Sequence, residues 1–263
     1  MAEAEADRLP DWLLVEILSF LPLGDRVRSA RVCRRWRRLV QDKTLWKNVD
    51  LTPYPVSPKV LWILLRRYLG PGLQSLKVRG SLPLTSRSGP LSSALLVRLS
   101  HRCPRLSSLS LQDQDLRSLP FSCLPRSLRV LELQRCELPA NWFSSLGSPG
   151  LQLERLSLDR VPSFSNRQLE AVCQLPGLRV LKLVGTYRIT PMGVRGALAG
   201  GGGKELEALQ LWECALPAET MKNACQVLPR LQVLEVDGIA MQMGLEECGK
   251  NDYPHRPGPS APP

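Results

Sequence analysis

The chain holds 263 residues, 43% of them hydrophobic and 22% charged, with a formal net charge of +11. That length allows one or two domains, the balance fits a soluble globular protein, and no apolar run is long enough to cross a bilayer. Eight cysteines without a CxxC pair argue against a zinc ribbon or disulfide framework, and for a reducing compartment, cytoplasmic or nuclear.

Residues 1–8 are acidic and lack the basic-then-apolar order of a signal peptide, so they are expected to be disordered. From Leu9 the character changes. Asp11 is placed to cap a helix whose Leu14, Ile17, Leu18 and Leu21 recur at helical spacing. Leu21-Pro22-Leu23 breaks it, because proline excludes helical geometry from the residue before it. Asp25 starts a second short helix, and Val32, Cys33, Trp36, Leu39 and Val40 mark a third before Leu45-Trp46 closes the unit. Three helices this short cannot bury all these groups against one another, which predicts a docking module completed by a partner.

The ordered set Leu9-Pro10, Ile17-Leu18, Leu21-Pro22, Asp25, Val32-Cys33, Arg34-Arg35-Trp36 and Leu45-Trp46 resembles an F-box. The resemblance implies docking on the Skp adaptor of SCF-type cullin-RING ubiquitin ligases, through an exposed set of Leu9, Pro10, Ile17, Leu18, Leu21, Pro22, Trp36 and Trp46. The alternative is a free-standing helical domain with Leu18 and Trp36 as core. Arg34, Arg35, Arg37 and Arg38 read as the solvated face of the third helix rather than a nuclear signal.

With residues 9–50 assigned to this domain, residues 51–72 read as a joint and first helix. Ser57 caps, Pro58 occupies the first turn, and Gly70-Pro71 ends the helix. Then L-x-x-L-x-L returns seven times, at Leu73, Leu106, Leu128, Leu153, Leu178, Leu206 and Leu231, in steps of 33, 22, 25, 25, 28 and 25 residues. Such steps mark leucine-rich repeats over residues 73–240. Each L-x-L is a strand with both apolar side chains on one face, and stacking makes a continuous core. Cys136 and Cys214, three residues past the last strand leucine, are read as core residues rather than nucleophiles.

The fold expected is therefore α/β: a small three-helix F-box domain, then a curved solenoid with a parallel inner sheet. The segments DLTPYPVSPKVLWILLRRYLG, LDRVPSF and GTYRITPMGV strengthen the resemblance to the F-box/leucine-rich-repeat family. After Val236 the pattern fades, and five prolines crowd residues 254–263. Residues 241–263 are predicted to be a disordered tail. The resemblance implies further repeats there, so the chain reads as either a shortened isoform or an imperfect gene model.

Strand alternation exposes three residues per repeat on the inner face. Lys77, Arg79, Glu132, Arg155, Asp159, Lys182 and Trp212, with Tyr187 in a loop beyond, are the candidate contacts to an unidentified protein substrate. Trp212 reads equally as a binding anchor or as packing against a neighbouring loop. No enzyme signature emerges: His101-Arg102-Cys103 has no further ligand nearby, and Gly200–Gly203 before Lys204 lacks the P-loop pattern. The expectation is a non-catalytic substrate receptor with no cofactor, no metal and no membrane. A competitor that binds the adaptor and delivers no substrate is the second reading. Seven Lys or Arg and no acid in residues 51–100 fit an acidic protein partner better than nucleic acid, for which the stretch lacks interleaved aromatics.

Overall fold

The computed structural model describes residues 9–54, 56–80, 91–145, 152–199 and 201–242. Residues 1–8 and 243–263, for which disorder is predicted, lie outside these, whereas Met241 and Gln242 of the predicted tail end a strand, Ile239–Gln242.

Three short helices open the chain: α1 (Asp11–Phe20), α2 (Leu23–Ser29) and α3 (Arg34–Leu39), followed by a 3-10 turn over Lys43–Trp46. The prolines define the breaks, since Pro10 and Pro22 occupy the N-cap positions of α1 and α2 with ψ near 150°. Asp11 is not the cap. It sits in the first turn of α1 and pairs with Arg35 at 2.7 Å and Arg38 at 2.6 Å, tying α1 to α3. The arginine run is therefore partly structural rather than only a solvated face. Arg26 adds a second tie, its guanidinium donating to the carbonyls of Leu18, Ser19, Leu21 and Leu45 at 2.6–3.2 Å.

No flexible joint separates these helices from the repeats. Asn48–Asp50 forms β1, which pairs in parallel with β2 (Ser75–Arg79). The expected linker is the helical half of a first repeat, α4 (Pro58–Arg67), with Ser57 Oγ accepting from the Val60 N–H at 3.4 Å. The boundary at residue 50 thus falls inside a sheet. Then come α5 (Ser93–Arg102), β3 (Ser108–Gln112), β4 (Val130–Gln134), β5 (Arg155–Asp159), α6 (Asn166–Cys173), β6 (Val180–Val184), α7 (Pro191–Ala199), β7 (Ala208–Trp212), α8 (Ala218–Cys225), β8 (Val233–Val236) and β9 (Ile239–Gln242).

Among the described residues the nine strands form one sheet in chain order, parallel from β1 to β8, with β9 antiparallel at the end. The repeat leucines lie in register and are buried. Leu76, Leu109, Leu131, Leu156, Leu181, Leu209 and Leu234 form one row. Each contributes roughly 1.5–3 kcal/mol by leaving water. Strands stack at about 4.8 Å whereas packed helices need about 8–10 Å, so the strand side becomes the concave one. After β3 and β4 the described residues of the return segments carry 3-10 turns, Phe121–Cys123 and Trp142–Ser145, in place of α-helices. Phe121, Trp142 and Phe143 there, with Phe164 beyond β5, fill the interior in edge-to-face and tilted pairs, with centroids 5.0–5.8 Å apart.

The residue after each strand from β3 to β8 turns the chain with positive φ: Asp113, Arg135, Arg160, Gly185, Glu213 and Asp237 fall between 47° and 60°. Beyond it Cys136 and Cys214 point inward and are buried, as expected, and burial pushes the Cys136 thiol up to about 12. The glycine turn before Lys204 is packed. Gly202 and Gly203 are buried, and a Cβ on Gly202 would come within 2.6 Å of the Ala197 carbonyl.

Candidate functional site

Two surfaces stand out, the outer face of α1 and the concave face of the sheet. The α1 sequence DWLLVEILSF is apolar around most of its circumference. Leu14 and Leu18 point inward, whereas Trp12 is 66% exposed, Phe20 80%, and Ile17 also lies in solvent. Val32, between α2 and α3, is exposed as well. A helix that is hydrophobic all round is normally covered all round. Half of this one is not.

The sequence-predicted docking residues divide accordingly. Pro10, Ile17 and Pro22 are exposed, and Leu9, Leu21 and Trp36 are half-buried. Leu18 and Trp46 are not on the surface: both are 1% exposed. Leu18 belongs to the inward row of α1. Trp46 donates its Nε1–H to the Val40 carbonyl at 2.6 Å and stacks on Tyr68, just past α4, at 4.5 Å. These two are core, so an exposed docking set cannot include them. Sequence reasoning missed Trp12, Phe20 and Val32. The signal for the first two was present as apolar residues on both faces of one helix.

On the concave face the outward positions form rows across the strands. The middle row runs Lys77, Ser110, Glu132, Ser157, Lys182, Gln210, Glu235, so its charges alternate in sign. A second row runs Arg79, Gln112, Gln134, Asp159, Val184, Trp212 and ends apolar. Several candidates are already engaged. Arg79 pairs with Asp113 at 3.0 Å, and Asp159 accepts from Gln134 at 2.7 Å. Lys77 and Arg155 are exposed, Glu132 is half-buried, and Tyr187 is exposed in the turn beyond β6. Lys182 Nζ lies 5.5 Å from the centroid of the Trp212 ring, which remains 37% exposed beside Val184. A cation over a half-open indole, flanked by valine, makes an amphipathic spot suited to protein contact.

Asp113 anchors one edge of this face. Its side chain is buried, with Arg135 at 2.6 Å and Arg79 at 3.0 Å on its two oxygens. Burial alone would raise its pKa, but hydrogen bonds and charge from Arg135 and Arg79 outweigh this and hold the carboxyl below its usual value. His101 lies at the end of α5, an ordinary helix end. Among the described residues no three His, Cys, Asp or Glu side chains gather as a metal site. The geometry offers contact surfaces and fixed charges.

A family profile described as F-box-like matches residues 6–52. A human protein named F-box/LRR-repeat protein 12 is 44% identical over 250 residues, covering 90% of this chain and 75% of that protein. The mouse protein of the same name is 44% identical over 217 residues, covering 81% of this chain and 65% of its own length. Among solved structures, a chain from a crystal structure of a TLR13-ssRNA13 complex superposes with a TM-score of 0.43 at 17% identity, covering 76% of this chain and 30% of that one.

Proposed function

The chain belongs to the F-box/leucine-rich-repeat family, and from that premise we propose that it is the substrate-recognition subunit of an SCF-type cullin-RING E3 ubiquitin ligase. The observation that carries this reading is the outer face of α1, where Trp12, Ile17 and Phe20 lie in water within the F-box-like region. Each aromatic there offers about 150–250 Å² to a partner. At roughly 25 cal/mol per Å², covering both rings favours association by several kcal/mol. The partner in this reading is the Skp adaptor, and through it the cullin. The chain acts in the cytoplasm or nucleus.

The concave face holds a protein substrate by Trp212, Lys182 and the alternating charges of the middle row. No covalent step belongs to this chain. Its contribution is proximity: a held substrate presents its lysines to the ubiquitin-charged enzyme at high effective concentration. The second reading, a competitor that occupies the adaptor without delivering substrate, shares the first surface and differs only at the second.

The test is a pull-down with purified adaptor. Leu18→Ala and Trp46→Ala are poor probes because both side chains are core. Trp12→Ala with Phe20→Ala removes only exposed groups, and at hot-spot magnitudes of about 2 kcal/mol each it should weaken adaptor binding by more than about a hundredfold. Wild-type affinity in that double variant would sink the docking assignment. Ubiquitination of proteins retained with the complex, in a reconstituted ligase, separates the receptor from the competitor.

A further inference from the structure

The outer sides of α4 and α5 face away from the strands and meet along a cleft of about 420 Å³, lined by Trp62, Leu65, Arg66, Arg98 and Arg102. We propose that this cleft binds an acidic protein segment, one that presents carboxylates to the arginines and an apolar side chain to Trp62. It is a site apart from both the α1 face and the concave face, and it requires neither the adaptor nor a ubiquitination substrate.

The arrangement follows from helical spacing. Trp62 and Arg66 are one turn apart on α4, and Arg98 and Arg102 are one turn apart on α5, so each pair projects from one side of its helix. Arg102 bridges the two helices. Its Nε donates to the Leu69 carbonyl and its Nη2 to the Arg66 carbonyl, both at 2.9 Å. Those bonds fix the third guanidinium in place. Arg66 and Arg98 are exposed and meet no carboxylate among the described residues, whereas Arg79, Arg129, Arg135 and Arg230 in the repeats all do.

Along the sequence no acid lies close to the three, since residues 51–112 hold no Asp or Glu. Residues 51–100 contain seven Lys or Arg and no Asp or Glu. Like charges gathered at one cleft repel one another until an anion arrives. Guanidinium forks bind carboxylates in two-point geometry, which favours Asp and Glu side chains as the ligand groups. The surroundings point to protein rather than nucleic acid. Val60, Ile63 and Val97 are exposed on the same two helices, and Trp62 is half-open at the cleft itself. An apolar surface next to arginines matches an amphipathic acidic helix or strand. A nucleic-acid track would instead need basic groups strung along a backbone path with stacking aromatics between them.

The experiment uses the full chain and a short fluorescein-labelled peptide with leucines at helical spacing and glutamates between, read by fluorescence polarisation. A counterpart with glutamine for every glutamate is the control. The wild type should bind the acidic peptide, more weakly as salt rises, and the glutamine peptide at least about tenfold less well. Arg66→Glu with Arg98→Glu changes only exposed side chains, leaving the bridging Arg102 intact. It should lose about tenfold or more in affinity while keeping the wild-type melting temperature and adaptor binding. A lysine-for-glutamate peptide should regain affinity for that double variant, and Trp62→Ala should weaken the acidic peptide independently of charge. No binding by the wild type, equal binding by the charge-reversed variant, or equal binding of the glutamine peptide would each overturn the proposal. Tighter binding of a single-stranded RNA that displaces the peptide would overturn it in favour of a nucleic-acid site.

Discussion

Removing the indole of Trp46 tests whether the helical unit and the repeats are one structure. The ring is buried to 1% exposure, hydrogen-bonded to the Val40 carbonyl at 2.6 Å and stacked on Tyr68 at 4.5 Å with 22° between planes. Arg26 lies over its ring at 5.8 Å. Trp46→Ala deletes a core aromatic, which costs about 3–5 kcal/mol, with about 0.5–1.5 kcal/mol of that from the stacked pair. Trp46→Phe keeps most of the volume and the stacking but leaves the Val40 carbonyl without a donor, at about 1–3 kcal/mol. Urea unfolding followed by circular dichroism gives both values, and thermal melting should fall by about 6–20 °C for the alanine variant in a chain of this size. The contribution should also appear as lost cooperativity, because Val40 lies in the helical unit and Tyr68 beyond α4. An alanine variant within about 1 kcal/mol of wild type would refute the reasoning. So would a phenylalanine variant as damaged as the alanine one, since the stacking would then count for nothing.

Two further outcomes follow from the buried groups. Asp113 is held below the ordinary carboxylate value of 3.8, so its stabilisation is complete above that value and is lost as pH falls through the lower folded one. Asp113→Asn, which tolerates the positive φ, should cost about 1–3 kcal/mol near neutral pH, and the gap to wild type should narrow in acid. Urea titrations at about pH 7 and about pH 3 check this, and a gap that widens in acid would contradict it. Burial raises Cys136 and Cys173 to about 12, and Cys103 and Cys225 to about 11, whereas Cys33 is exposed. Iodoacetamide on the native chain should therefore modify Cys33 well before those four, which mass spectrometry reads directly. Early loss of Cys136 would show the repeat interior to be open.

The repeats were legible because alternation leaves two apolar residues, mostly leucines, per strand in recurring steps, a pattern that burial of one sheet face requires. The helix at Ser57-Pro58 was legible for the same kind of reason, a cap and a first-turn proline in sequence. What escaped was structure made by neighbours. Asn48-Val49-Asp50 has one apolar residue and no strand signature, yet it becomes β1 because β2 offers an edge to pair with. Asp113, Arg135, Arg160 and Glu213 take positive φ without being glycine, since the chain must turn where each strand ends and packing dictates the turn. Leu18 looked like a docking residue because the F-box resemblance places it in the docking set, and helical spacing marks a face as apolar without saying what covers it. The neighbouring Trp12 and Phe20 are apolar too, and only the packed arrangement shows which side meets α3 and which meets water.

The pairing of β1 with β2 has a mechanical meaning. A strand shared between two parts of a chain acts as a weld, and bending there would require breaking ladder hydrogen bonds rather than rotating a loop. Under the proposed role, the angle between the α1 face and the concave face is built in, so the chain works as a gauge of fixed span. Which lysines of a bound protein come within range is then decided by how that protein sits on the sheet. A glycine-rich insert at the PYPVSP stretch would leave the weld intact and that selection unchanged. Replacing Val49 with proline would break the weld, and would spread modification over many more lysines.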